Sequence, residues 1–248
     1  MVSLQFMRYL VISDIHGNLA AFETVLKDAA GEWDVIWCLG DVVGYGPDPN
    51  ECVALLREHP HLCLSGNHDW AVLGRLDLST FNDDARIAIA WAQGVLSEES
   101  RAYLEGLPSL TVKDEFTLTH ASPRQPVWEY IVDRYTALTN FQHFETLYCL
   151  VGHTHVPIVY EELDEQEIMT HAPVYSQPLP LDSARLIINP GSVGQPRDHD
   201  PRSAYAILDT DKMTWEHRRV AYPIAATQGR MNDYELPYRL IARLDYGL

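Results

Sequence analysis

Residues 9–16 read Tyr-Leu-Val-Ile-Ser-Asp-Ile-His (YLVISDIH), four apolar residues followed by an acid and a histidine one residue apart. A run this short and this apolar reads as a strand, and it leaves Asp14 and His16 just past the strand's carboxyl end. The pattern recurs. VIWCL (35–39) is followed by Gly40 and Asp41, and LCL (62–64) leads into Ser-Gly-Asn67-His68-Asp69. FTLT (116–119) ends in His120, and YCLV (148–151) precedes Gly152-His153-Thr154-His155. Five strands therefore end in Asp, Asn or His, the oxygen and nitrogen donors used by borderline divalent metals. In α/β sheets reactive groups collect beyond the carboxyl ends of the strands, so strands lying side by side would bring these residues to one place. Gly17, Gly40, Gly66 and Gly152 flank them and suit tight turns.

Each residue alone has a plainer explanation. Asp14, Asn67 and Asp69 could cap helices or close Asx turns. His120 could be a satisfied buried histidine, and His153 and His155 could be surface residues. Their coincidence at five strand ends is what favours a polar metal site.

Around these points the first 70 residues alternate short strands with helical patterns at 19–29 and 49–57, as βαβ units do. Residues 83–105 read as helical, with Ser97 capping a restart. Later strands are expected at 110–112, 116–119, 147–151, 156–161, 185–189, 203–209 and 213–221, with a hairpin turn at Asp211-Lys212. The proline-rich stretch 172–181 reads as a loop. Helices mixed with strands early, and strands dominating late, fit two packed sheets with helices outside, in one domain spanning 1–248.

The 248 residues carry a formal charge of −17. An extended nucleic-acid or anionic-membrane footprint is disfavoured, because phosphate backbones are bound by basic stripes. Any anionic substrate needs a local attraction. No stretch approaches the ~18 apolar residues of a membrane span. The amino terminus reads as a first strand, not a signal peptide, and Met1 and Met7 are both candidate starts. Cys38, Cys52, Cys63 and Cys149 lie in or beside apolar stretches without a CxxC pair, as expected of buried thiols in a reducing, cytoplasmic setting.

In order, Asp14-Ile15-His16, Gly40-Asp41, Gly66-Asn67-His68-Asp69, His120 and Gly152-His153-Thr154-His155 resemble the blocks of the calcineurin-like metallophosphoesterase superfamily. The resemblance runs from about residue 8 to the NPGSVGQPR segment at 189–197 and points to its small phosphodiesterase-like bacterial and archaeal branch. It implies an α/β fold, a four-layer α-β-β-α sandwich of two mixed sheets flanked by helices. It also implies two divalent ions, with Mn²⁺ favoured and Fe, Zn or Ni compatible with the donors. One ion would take Asp14, His16, Asp41 and His155; the other would take Asp41, Asn67, His120 and His153, with Asp41 bridging. Thr154 would set the divergence of its two neighbours. His68 would be the general acid and Asp69 an orienting residue. Ala121 stands where relatives often have glycine, which should narrow the backbone's approach to the metal.

The implied reaction is phosphoester hydrolysis by a metal-bridging hydroxide, the two cations giving a positive site inside an acidic protein. Arg124 and Arg197 are candidate phosphate contacts, with salt bridges to nearby acids the competing use. Trp128 or Tyr130, in segment 122–135, could stack on a base or simply pack. A small phosphodiester is the expected substrate. The alternative is a phosphomonoesterase, including a protein phosphatase; protein Ser/Thr phosphatases and symmetric dinucleoside tetraphosphatases of this superfamily usually follow the Gly-Asp with Asp-Arg-Gly. Here Gly40-Asp41 continues Val42-Val43-Gly44-Tyr45-Gly46. A nuclease would show a basic groove. A metal-free scaffold of the same fold, like the retromer subunit, would show damaged ligands. Oligomeric state has no signature in the sequence.

Overall fold

The computed structural model describes residues 7–164, 167–182 and 184–248. The question of Met1 or Met7 as the start falls on residues 1–6, outside the described residues.

The first sheet contains β1 (Arg8–Ile12), β2 (Val35–Cys38), β3 (His61–Cys63), β9 (Pro178–Pro180), β11 (Ser203–Asp209) and β12 (Thr214–Val220). Its order is β3-β2-β1-β11-β12-β9. β1, β2 and β3 run parallel, while β11, β12 and β9 add antiparallel pairings. The second sheet contains β4 (Leu110–Lys113), β5 (Phe116–Thr119), β6 (Tyr148–Leu150), β7 (Ile158–Asp164), β8 (Glu167–His171) and β10 (Arg185–Asn189). Its order is β4-β5-β6-β10-β7-β8, with β5, β6 and β10 parallel.

Strand alternation builds the layers. Side chains along a strand point to opposite faces with a period of two, so Tyr9 and Val11 of β1 face the second sheet while Leu10 and Ile12 face outward. Tyr9, Val11, Trp37 and Leu208 meet Phe116, Tyr148, Leu150 and Ile188 in the core between the sheets. On the outer face of the first sheet, Leu10, Ile12, Ile36 and Ile207 pack against helices α1 (Leu19–Asp28), α2 (Pro49–Arg57), α3 (Asn67–Val72), α4 (Asp83–Val95) and α5 (Glu98–Glu105). On the outer face of the second, Cys149, Val151 and Ile187 pack against α6 (Arg134–Phe141) through Ala137 and Phe141. The carboxyl-terminal helices α7 (Ile224–Asp233) and α8 (Tyr238–Ala242) return to the first group. Two mixed sheets flanked by helices match the expected four-layer sandwich.

Helix starts follow local chemistry. Asn18, Asn82, Ser97 and Asp133 each accept a backbone N–H in the first turn of the helix they precede. Ser97 caps α5 after a break at Leu96, as its sequence suggested. The stretch 172–181 differs from expectation: Pro178–Pro180 pairs with β12 as an edge strand, a place proline tolerates because one side of an edge strand needs no N–H donor. All four cysteines are buried and free. No described helix is long and apolar enough to cross a membrane.

Candidate metal centre

The parallel strands β1, β2 and β3 of one sheet and β5 and β6 of the other all end at one place. Beyond the ladder, Asp14 N–H still donates to Gly40 O (3.0 Å) and His16 N–H to Asp41 O (2.9 Å). Gly152 N–H donates to His120 O (2.7 Å) in the second sheet. Five of the seven expected ligands, Asp14, His16, Asp41, His153 and His155, have φ between 52° and 65°. Left-handed backbone costs a non-glycine residue about 1–2 kcal/mol, and such strain concentrates at functional sites. In both the Asp14–His16 and His153–His155 turns the strained residues alternate, so two side chains of each turn reach the cluster.

The cluster is dry. Asp14, His16, Asp41, Asn67, His68, His120, His153 and His155 are all buried. His16 Nε2 lies 3.0 Å from His155 Nε2. Asp14 Oδ1 is 3.3 Å from His155 Nε2, and Asp41 Oδ2 is 3.6 Å from His16 Nε2 and 3.3 Å from His120 Nε2. Asn67 Oδ1 is 3.2 Å from His120 Nε2. Ligand atoms of Asp14, His16 and His155 form one compact group, and those of Asp41, His120 and His153 form another. A third group joins His68 to His16 and Asp41.

Each carboxylate is half committed. Asp14 Oδ2 accepts His153 N–H (3.1 Å) and Asp41 Oδ1 accepts His68 N–H (2.8 Å). The other oxygens, Asp14 Oδ1 and Asp41 Oδ2, are buried without a hydrogen-bond partner. Buried unpaired carboxylate oxygens are costly, and a cation between the two groups would meet that need. The histidines point the same way. His120 Nδ1 is 2.9 Å from Leu39 O, His155 Nδ1 is 2.6 Å from Gln195 O, and His153 Nε2 is 3.2 Å from Trp128 O. A carbonyl can only accept, so each contact fixes one ring N–H and leaves the opposite nitrogen as a lone pair for a metal. The donor set and its orphaned oxygens fit divalent cations.

Burial lowers His16, His153 and His155 well below the usual histidine range, so they are neutral. Burial likewise raises Asp14 to about 6. Burial opposes charge on His120 and Asp41 too, but their mutual attraction prevails, raising His120 to about 9 and lowering Asp41 to about 2. Cation binding would displace the extra His120 proton.

Glycines make room for this. Gly44 has φ of +147°, and a Cβ there would lie 2.5 Å from His16 Nδ1 and 2.8 Å from His68 Nδ1. A Cβ on Gly66 would collide with Asp41 Oδ1. Ala121, in contrast, is not among the residues with positive φ, and its methyl group is buried without displacing His120.

Several expectations meet corrections. Asp69 does not orient the His68 ring: its oxygens accept Asp41 N–H, Gly66 N–H and Val43 N–H at 2.9, 2.9 and 3.1 Å. It holds the turn that carries Asp41. Arg124 is bound to Glu129, an ion pair on the segment's own surface, and is no part of the cluster. Arg197 has the opposite fate. Its neighbours Asp198 and Asp200 are taken by Arg219 and Arg202, and its Nη2 donates to Tyr45 OH (3.3 Å) and Gln195 Oε1 (2.8 Å). Tyr45 in turn lies 4.6 Å from the His16 ring and 4.4 Å from the His68 ring. Tyr130 stacks on His153 at 3.7 Å, and Trp128 meets Phe81 at 5.2 Å. These aromatics frame the histidines.

The comparisons agree with this geometry. Residues 7–213 match the model of the calcineurin-like phosphoesterase superfamily domain. The chain belongs to that superfamily. An uncharacterized protein of Methanocaldococcus jannaschii is 38% identical over 244 residues, covering 96% of this chain and 97% of its own. The crystal structure of a metallophosphoesterase from Sphaerobacter thermophilus superposes with a TM-score of 0.90 at 47% identity, over 98% of this chain and 100% of that one. A hypothetical protein from Pyrococcus horikoshii shares the fold, with a TM-score of 0.79 at 18% identity over 97% and 98% of the two chains. A calcineurin-like phosphoesterase with His/Asp clusters able to hold metal is therefore a phosphoester hydrolase in class.

Proposed function

We propose that this phosphoesterase is a dinuclear-metal phosphodiesterase acting on small, anionic phosphodiesters. The observation that carries the reading is the convergence of seven donors from both sheets, with three imidazoles held by carbonyls to face inward. Asp14, His16, Asp41 and His155 would hold one ion; Asp41, Asn67, His120 and His153 the other. Only oxygen and nitrogen donors are present, which suits Mn²⁺ and also admits Fe, Zn or Ni. When bound, such a pair supplies Lewis-acid polarisation of the phosphoryl oxygens and the means to activate water at neutral pH.

The chain's own part is positioning and proton transfer. His68 is buried beside His16, Tyr45 and Phe81, with Nδ1 unpartnered. In this reading it would protonate the leaving oxygen. Burial lowers it to about 4, so a neighbouring phosphate anion is needed to draw a proton onto it. Arg197 lies at the rim to meet phosphate oxygens.

Diester preference is supported by Gly44-Tyr45-Gly46, which puts a phenol where protein Ser/Thr phosphatases of the superfamily usually carry arginine. Arg197, reaching Tyr45 from another loop, favours the monoesterase reading instead. Protein stripped of metal and refilled with Mn²⁺ separates them. Metal-dependent turnover of bis-p-nitrophenyl phosphate above p-nitrophenyl phosphate is expected. A monoester preference would replace this reading, and no turnover with two ions bound would contradict it.

A further inference from the structure

Most guanidinium groups in this acidic chain hold a carboxylate, as Arg185, Arg202, Arg218 and Arg219 do. Arg197 and Arg243 do not, among the described residues. They converge on one atom: Gln195 Oε1 accepts Arg197 Nη2 at 2.8 Å and Arg243 Nη1 at 3.2 Å. Gln195 itself is only 2% exposed, and its Nε2 is buried with no acceptor. Arg197 Nε is likewise buried without a partner. Two like charges brought together repel one another, and here one neutral amide oxygen is their common partner.

The arrangement is built, not incidental. Arg243 follows α8, beyond the residues that match the family model. The carboxyl terminus is fastened to the loop that carries Arg197, since His199 N–H donates to Gly247 O at 2.9 Å. The groups facing Arg243 are Arg197, the Tyr45 phenol and Asp84. Arg197 also contacts the centre's wall: its guanidinium lies 5.6 Å from the Tyr45 ring centroid, and its backbone N–H donates to His155 O at 3.3 Å. On the other side, Arg243 lines a cavity of about 520 Å³ that Arg239, Asp83 and Asp84 also border.

We propose that Arg197 and Arg243, with the free Gln195 Nε2–H, form a second anion subsite beside the metal centre, for a phosphoryl group joined to the scissile one. This rests on the phosphodiesterase reading and narrows it. The substrate is an organic diphosphate ester, whose scissile phosphorus is diester-like and bears one further phosphoryl group. Guanidinium groups recognise phosphate oxygens by paired, charge-assisted hydrogen bonds. Asp83 on the far wall is paired with Arg86 at 3.0 Å, but the Asp84 carboxylate beside it opposes a longer polyphosphate, so the subsite takes one extra phosphoryl group rather than a chain of them.

Calorimetric binding to the Mn²⁺-loaded full chain tests it without turnover. The probes are adenosine 5′-(α,β-methylene)diphosphate, whose bridge resists hydrolysis, and adenosine 5′-monophosphate. The diphosphate analogue should bind at least tenfold more tightly. That advantage should fall below threefold in Arg243→Gln and persist in Arg243→Lys, which retains the charge and guards against a folding artefact. Equal affinity of the two probes, or an advantage indifferent to Arg243→Gln, would overturn the subsite. Turnover of bis-p-nitrophenyl phosphate, measured separately, reports on the phosphodiesterase reading. Lost turnover with an Arg243-dependent diphosphate advantage would keep the subsite and reject that reading; intact turnover without the advantage would do the reverse.

Discussion

His16 Nε2 and His155 Nε2 face each other across 3.0 Å, from two different sheets, inside a fully buried cluster. His155 Nδ1 donates its proton to Gln195 O, so its Nε2 is a lone pair. His16 Nδ1 has no partner at all. Packing two such rings together without a cation stabilises little, and it places both beside the orphaned oxygens of Asp14 and Asp41. A cation held between these groups would tie protein stability to metal occupancy.

Chelation should therefore destabilise the fold. Binding at 100 times Kd contributes about 2.7 kcal/mol per ion, and 1 kcal/mol moves Tm by roughly 2–4 °C at this size. Removing both ions should lower Tm by about 10–20 °C, reversibly, by differential scanning calorimetry. A Tm unmoved by chelation would count against any cation in the cluster.

His68 lies close enough to His16 and Asp41 to be either ligand or acid. As the acid, His68→Ala should lose about 10²–10⁴ in turnover, the usual worth of general acid–base help, with metal content unchanged. A variant that loses an ion would show His68 to be a ligand.

Gly66→Ala should fold yet bind metal poorly, because the new methyl group displaces the Asp41 carboxylate from its place. Elemental analysis beside circular dichroism separates that outcome from simple misfolding. Wild-type metal content in this variant would mean the Asp41 turn yields freely.

The segment bearing Trp128 should loosen in acid. Burial would raise Glu129, but hydrogen bonds from Arg124, Asn140 and Ser122 outweigh it and hold the carboxyl at about 2. Its pKa is thus depressed from 4.5. The unfolded chain binds more protons in between, so this contribution is full above pH 4.5 and is lost as pH falls toward 2. Glu129→Gln should flatten the stability profile across that window and cost about 1–2 kcal/mol at neutral pH, discounted for the exposure of Arg124. An unchanged profile in urea melts would remove Glu129 from this role.

The clustering of the proposed donors was legible because their pattern is local: an apolar run, then Asp, Asn or His, at five strand ends. Their orientation was not. Leu39, Trp128 and Gln195 fix the imidazoles through backbone carbonyls, which every residue has and no side chain advertises. The left-handed backbone at His153 and His155 was nearly as silent: histidine is enriched there over most residues, but only a few per cent of non-glycine residues adopt it. Arg197 carried only a weak sign, and Arg243 none, because its proximity depends on how α7 and α8 fold back over the first sheet. Those helices, with α6 and β8, were unread, and β9 fell in a stretch read as a loop. Their apolar patterns are weak, and tertiary packing decides them.

Asp41 is the residue that the proposed centre assigns to both ions, and metal stoichiometry tests that assignment most directly. Equilibrium dialysis of the stripped protein against Mn²⁺, followed by elemental analysis, should give about two ions per chain in the wild type. It should give less than about one in Asp41→Asn, which removes the charge at the shared position. One ion or none in the wild type, or full occupancy in Asp41→Asn, would contradict a dinuclear centre bridged by Asp41.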